Sequence, residues 1–131
     1  MKALDTNIVV RFLTADEPGQ LARVEALLRS ADAEREHLFV PLLVLLETIW
    51  VLTSVYEASR ESILDSLERL TDLSFLRFEK EALVRAFLAA AAKTPVALAD
   101  LLIGLSAREH GCETTLTFDK RIARSEHFSQ L

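Results

Sequence analysis

Short β-rich runs alternate with longer helical patterns along the chain, and this alternation most constrains the fold. The patterns predict strands at 1–5, 38–40, 74–78 and 114–118. They predict helices at about 7–14, 18–31, 42–55, 60–70, 80–93 and 100–110, with a short helix after the last strand. Asp16 and Ser59 are predicted helix starts, and Gly111 is a predicted helix stop. Strands separated by helices pair in parallel and are covered on both faces. The sequence therefore predicts an α/β fold, a three-layer α/β/α sandwich with a central, mainly parallel sheet.

Size and composition favour one compact domain spanning residues 1–131. Half of the 131 residues are hydrophobic, and only three glycines and three prolines interrupt the chain. We expect the single cysteine, Cys112, to be a small buried residue beside a strand in a reducing compartment. No secretory segment is recognisable, and the predicted location is the cytoplasm.

The apolar stretch 38–56 is long enough to cross a membrane and carries one charge, Glu47. Pro41 would interrupt a helix near its start, and an acid at the centre of a membrane span costs roughly 2.5–3.5 kcal/mol. A strand followed by a buried helix fits the stretch better, and no membrane contact is predicted.

Four acids lie at the ends of apolar segments or inside them: Asp5, Glu47, Asp100 and Asp119. Asp5 and Asp119 each follow a predicted strand, and ligands of open α/β sheets bind at the carboxyl ends of strands. Asp5 and Asp100 also suit helix starts, where an acid acts as a cap. Glu47 has no Lys or Arg within two helical turns, so its burial would require a cation; the alternative is a solvated stripe of the helix.

The available side chains favour metal-assisted hydrolysis over other chemistries. Oxygen ligands select Mg²⁺ or Mn²⁺ over Zn²⁺. The histidines, His37, His110 and His127, have no metal-binding spacing, and neither a nucleophile elbow nor a glycine-rich phosphate loop is present. What remains is hydrolysis of a phosphoester by water that a cation activates.

The four acids lie in motifs that resemble those of PIN-domain ribonucleases of the VapC toxin type. The matching segments are Leu4-Asp5-Thr6-Asn7, Leu46-Glu47-Thr48-Ile49-Trp50, Ala99-Asp100-Leu101-Leu102-Ile103 and Thr117-Phe118-Asp119. They span nearly the whole chain in the order and spacing of that family. Each motif is weak alone, but together they place four acids in register with four structural elements.

The resemblance implies a fold that gathers the four acids around one or two Mg²⁺ or Mn²⁺ ions. Asp5 and Asp100 would bind metal directly, Glu47 directly or through water, and Asp119 would complete the second-metal side. Asn7 and Thr117 would hold water or a carboxylate in place. Members of this family cut single-stranded or looped RNA and are held silent by a co-expressed antitoxin, so RNA, an antitoxin and a second copy of the chain are the expected partners.

The charge of the chain at first contradicts an RNA substrate, because the net charge is −5 and the pI is near 5.2. Bound cations would neutralise the four acids, and four basic residues near them in sequence could hold phosphates: Arg108, Lys120, Arg121 and Arg124. The alternative is that these basic side chains lie on a solvated face or near helix ends.

Two other classes of function stay open at this stage. A haloacid-dehalogenase-like phosphatase also begins with a strand ending in Asp, but it carries a second Asp two residues later, where this chain has Asn7. A non-catalytic helical interaction module would treat each acid as a cap or a surface residue. Helices 18–31 and 42–55 offer more apolar surface than one sheet face needs, which indicates a covering partner.

Overall fold

A computed structural model describes all residues from Met1 to Leu131. The helices are α1 (Thr6–Thr14), α2 (Pro18–Glu34), α3 (Leu42–Ser54), α4 (Arg60–Thr71), α5 (Glu81–Ala91) and α6 (Leu98–Glu109). The strands are β1 (Lys2–Ala3), β2 (Leu38–Val40), β3 (Leu76–Phe78), β4 (Thr115–Thr117) and β5 (Phe128–Gln130), and a 3-10 helix spans Ile122–Arg124. Every predicted element is present in the predicted order, and all strand pairs are parallel, which confirms the α/β class.

The chain divides into two compact units, residues 1–80 and 81–131. The single domain over 1–131 stays a prediction. In the first unit β1, β2 and β3 form a parallel sheet in that order. Leu38 and Val40 of the middle strand are each 1% exposed, and Phe39 between them is mostly covered. Both faces of β2 are therefore packed, as a parallel strand requires.

The helices of the first unit begin where local chemistry satisfies their free N–H groups. Ser59 caps α4 as predicted, accepting a hydrogen bond from the Ser62 N–H at 3.1 Å. Pro41 offers no side-chain cap to α3, and the Glu79 carboxylate at the end of β3 instead accepts the Leu42 N–H at 2.7 Å. This long-range cap joins the end of one strand to the helix that follows another.

The predicted helix start at Asp16 is wrong, because Glu17 occupies the cap position of α2. The Asp16 carboxylate accepts hydrogen bonds from Thr14 Oγ1 and from the Tyr56 hydroxyl, both at 2.8 Å. Arg11 donates to the same hydroxyl at 2.9 Å and lies 3.4 Å from Asp16. The Tyr56 hydrogen bond is the main reason that the pKa of Asp16 is lowered, with Thr14 next. Asp16 thus ties the end of α1 to the segment after α3.

In the second unit α5 packs against α6, and β4 pairs with β5. Strand β5 was not predicted, because three residues without clear alternation carry no signal. Gly104 of α6 lies against this strand: a Cβ there would be 2.8 Å from Cε2 of Phe128. Gly111 follows α6 with φ of 86°, which confirms it as the predicted helix stop.

The expected burial of Cys112 is wrong. Cys112 lies in the turn between α6 and β4, and every residue from 108 to 114 is exposed. The stretch 38–56 forms β2 and α3, and none of the helices combines the length and the apolar character that crossing a membrane requires.

Candidate active site

Asp5 lies directly beyond the first strand and opens α1. The Leu4 N–H still donates to the Phe39 carbonyl at 2.8 Å, so the chain stays bonded to the sheet until the residue before Asp5. Asp5 has extended backbone angles, and its Oδ1 accepts the Thr6 N–H at 2.8 Å. The residue is exposed, and Oδ2 makes no hydrogen bond. The cap therefore fixes one oxygen and leaves the other available to a ligand.

Asn7, the second residue of α1, is exposed and makes no side-chain hydrogen bond. It contributes to a cavity of about 320 Å³, whose other lining residues are Ile8, Arg11, Gln20, Arg23, Val24 and Leu27. Asn7 is two residues beyond Asp5 on the same helix start. Its predicted role in holding water or a carboxylate stays a prediction.

The argument that Glu47 is buried is wrong, because this side chain is exposed. Helix α3 turns its buried face to the core through Leu45, Thr48, Ile49 and Leu52. Glu47 lies on the opposite face with Leu43 and Trp50, four residues before it and three after it. Its carboxylate makes no hydrogen bond or ion pair. Burial therefore does not demand a cation here, and binding of metal by Glu47 stays a prediction.

Thr48, beside Glu47, is the opposite case. Its side chain is fully buried, and its hydroxyl oxygen has no hydrogen-bond partner. Buried polar groups are normally hydrogen-bonded, so an unpaired hydroxyl in this position costs stability.

Asp100 occupies the first turn of α6, where its charge suits the partial positive charge of the helix start. Ala97 at the cap position supplies no side-chain hydrogen bond. The Asp100 side chain is half-buried, and this burial raises the pKa of its carboxyl group. The nearby charge of Asp119 raises that pKa further. A partly buried acid whose pKa is raised by a nearby carboxylate is typical of functional sites.

Asp119 follows β4 by two residues and lies three residues before the short 3-10 helix. Its Oδ1 accepts the N–H groups of Arg121 at 2.9 Å and Ile122 at 3.1 Å. Its own N–H donates to Oγ1 of Thr117 at 3.0 Å. Asp119 is exposed, and its second carboxylate oxygen makes no hydrogen bond. Thr117 thus helps to fix the backbone of the acid that follows it.

The basic residues near Asp119 differ in their availability. Arg108 lies 3.5 Å from the Glu126 carboxylate, and both side chains are exposed. Lys120, Arg121 and Arg124 are exposed, and their side chains make no ion pair or hydrogen bond within the protein. These three side chains are available to bind a phosphate.

Asp5 and Glu47 belong to the first unit, and Asp100 and Asp119 belong to the second. Within the second unit the structure brings Asp100 and Asp119 within electrostatic reach of each other. In neither unit do three His, Cys, Asp or Glu side chains gather into a group that could hold a metal ion. The four-carboxylate cluster stays a prediction.

Sequence reasoning treated Phe118 only as part of a motif, yet the structure leaves its side chain 80% exposed between Thr117 and Asp119. An aromatic residue beside an acid and just before two basic residues, Lys120 and Arg121, was the available signal.

Comparisons with known proteins identify the family of the chain. Residues 2–127 match the sequence model of the PIN domain. The chain is also similar to a VapC ribonuclease of Aquifex aeolicus (strain VF5), with 25% identity over 124 residues, which cover 95% of this chain and 91% of that protein. The family match spans nearly the whole chain and includes all four acids, so it confirms the resemblance that the motifs indicate. The chain therefore belongs to the PIN domain family.

Proposed function

We propose that the protein is a metal-dependent endoribonuclease and the toxin of a toxin–antitoxin pair. The observation that carries this proposal is the pair formed by Asp100 and Asp119, in which burial and like charge raise the pKa of Asp100. Such a pair is unfavourable in its ionised form unless a cation binds to it. The PIN domain match and the relative described as a VapC ribonuclease support the same function.

The donor set fits a hard divalent cation, because it consists of carboxylate oxygens and includes no cysteine or histidine. We propose Mg²⁺ or Mn²⁺, held by Asp100 and Asp119 together with Asp5 and Glu47. When bound, such a cation supplies an activated water and stabilises the charge that builds on a phosphodiester during cleavage.

The residues of the chain orient the site around that cation. Asp119 is held by two N–H groups at Oδ1, which leaves its other oxygen for binding. The Thr117 hydroxyl holds the backbone N–H of Asp119. The Asp5 side chain is held by its hydrogen bond to the Thr6 N–H at the start of α1. We propose that Asn7 orients a water or a carboxylate, and that Lys120 and neighbouring basic residues hold the RNA phosphates.

The partners follow from the exposed apolar surface of α3. Leu43 is 78% exposed and Trp50 is 58% exposed, whereas the leucines and the valine of α2 are all at least partly covered. Large exposed apolar side chains on one helix face indicate an interaction surface. We propose that an antitoxin helix or a second copy of the chain, forming a homodimer, covers it. The cytoplasm is the proposed location, because the proposed substrate is RNA.

The alternative functions account for less. A phosphatase of the haloacid-dehalogenase type needs a second acid at the position of Asn7. The family model that matches this chain is the PIN domain. A non-catalytic helical module gives no reason for Asp119 to lie close enough to Asp100 to raise its pKa.

Substitution of the acids tests the nuclease proposal. Asp5→Asn, Asp100→Asn and Asp119→Asn should each abolish Mn²⁺-dependent cleavage of RNA without unfolding the protein, because Asn keeps the shape and removes the charge that binds the cation. Glu113→Gln, which changes an exposed acid outside the proposed site, should cleave as wild type does. This proposal would be wrong if the double variant Asp5→Asn/Asp100→Asn, purified free of contaminating nucleases, still cleaved RNA with Mn²⁺ at the wild-type rate.

A growth experiment tests the toxin role separately. Expression of the wild-type chain alone should arrest the host, and co-expression with the adjacent upstream gene should restore growth. The Asp100→Asn variant should be harmless at the same expression level. Normal growth of cells that express active wild-type enzyme would contradict the toxin role while leaving the nuclease role intact.

A further inference from the structure

We propose that Phe118 stacks on an unpaired nucleobase of the RNA while Lys120 and Arg121 hold the adjoining phosphates. The inference rests on the proposed ribonuclease function, and it assigns a binding residue to the site around Asp119.

Phe118 is an exposed aromatic residue directly after β4. Its side chain is 80% exposed, so the ring forgoes the favourable burial that an apolar group of this size normally finds. Phe118 follows the last residue of β4 and directly precedes Asp119. The ring therefore lies at the carboxyl end of a parallel strand, the edge where α/β proteins bind ligands.

The segment around Phe118 is basic. Residues 117–125 contain three basic residues and one acid, a net charge of +2 in a chain whose net charge is −5. Lys120, Arg121 and Arg124 are exposed and have no partner within the protein. An exposed aromatic ring followed closely in the chain by unpaired cations matches the chemistry of a nucleotide, which offers an aromatic face and a negative phosphate.

The geometry of nucleic acids then selects the strand. A base can stack on an aromatic side chain only when it no longer stacks on its neighbouring bases. Bases of a single strand can unstack readily, whereas stacking and pairing hold the bases of an A-form duplex in place. Every base has an aromatic face, so the contact should tolerate different sequences. A protein partner would instead be expected to use the purely apolar Leu116, which is 61% exposed and lies two residues before Phe118 in the chain.

The test measures RNA binding in an Asp100→Asn background with Mg²⁺, where cleavage should not occur. A single-stranded RNA that contains 2-aminopurine and a duplex of the same sequence are the probes. Phe118→Ala should weaken binding of the single strand about tenfold and abolish the fluorescence quenching that stacking causes. Phe118→Trp should preserve both, and Leu116→Ala is the matched control that should change neither.

The outcomes separate the possible failures. Equal affinity of Phe118→Ala and its parent for the single strand, or an equal loss for single strand and duplex, would overturn the stacking role. If Leu116→Ala weakens binding as much as Phe118→Ala and both variants sediment as smaller species, the patch contacts protein and the proposal is wrong. If wild type cleaves RNA while Phe118→Ala binds it normally, only this inference fails; if wild type neither binds nor cleaves RNA, the proposed function fails with it.

Discussion

The unpaired hydroxyl of Thr48 gives a prediction about stability that can be worked from the structure. Thr48 is fully buried in α3, and its Oγ1 has no partner. A buried polar group without a partner costs about 1–3 kcal/mol. Valine has nearly the same shape without the hydroxyl, and the helix propensities of the two residues are similar. Thr48→Val should therefore raise the free energy of unfolding by about 1–2 kcal/mol.

Urea denaturation followed by circular dichroism measures this change. The midpoint should rise while the slope of the free energy with urea stays the same, which identifies a change in stability rather than in the denatured state. In a thermal scan the melting temperature should rise by roughly 3 °C per kcal/mol for a chain of this size. Cleavage of RNA by Thr48→Val should be unchanged if the hydroxyl has no part in the chemistry.

Two variants control for the helix and for packing. Thr53, in the same helix, donates its hydroxyl to the Ile49 carbonyl at 2.7 Å, so Thr53→Val should give no gain. Thr48→Ser keeps the unpaired hydroxyl and removes a buried methyl group, which should cost about 1 kcal/mol. If Thr48→Val is no more stable than wild type at an unchanged slope, the hydroxyl has a partner and the reasoning is refuted.

The remaining predictions concern pH, a hydrogen-bond network and packing. The pKa of Asp100 is raised in the folded state, so in EDTA the protonation of this carboxyl group favours folding below the unfolded pKa near 4, and this contribution is lost as the pH rises through the folded pKa. Asp100→Asn should therefore melt at a higher temperature than wild type at pH 7, and this difference should vanish at low pH. Loss of the Tyr56 hydroxyl in Tyr56→Phe should raise the lowered pKa of Asp16, visible by NMR titration, and the accompanying loss of stability should shrink as the pH falls through that pKa. Gly104→Ala brings a methyl group within 2.8 Å of the aromatic ring beside α6 and should cost about 1–3 kcal/mol, whereas Gly19→Ala, with nothing within 4 Å, should not destabilise; equal melting of the two would contradict the packing argument.

Sequence reasoning was reliable where periodicity and caps are local. The strand at 38–40 was predicted to the residue, and the helices of the structure begin within two residues of the predicted starts. Ser59 and Gly111 act as the cap and stop that their residue types indicate. These signals depend only on residues that are close together in the sequence, so they can be read without knowledge of the three-dimensional structure.

It failed where the answer depends on contacts made elsewhere. Glu47 has apolar neighbours in sequence, but helix geometry places it with Leu43 and Trp50 on the exposed face, which a count of neighbours does not reveal. Strand β5 forms through pairing with β4, and its three residues have no strong pattern of their own. The long-range cap that Glu79 provides to α3 was not foreseen for the same reason.

The capping bonds of Asp5 and Asp119 change how function and folding should trade against each other. Acids grouped for catalysis usually weaken a fold, because their charges repel. Here one oxygen of each acid accepts hydrogen bonds from backbone N–H groups of the segment that follows it, and these bonds stabilise the fold locally. Asparagine can keep the same bond with its carbonyl oxygen. An Asp→Asn substitution at either position should therefore remove the negative charge and keep the local hydrogen bond, so the substituted chains should persist as folded proteins.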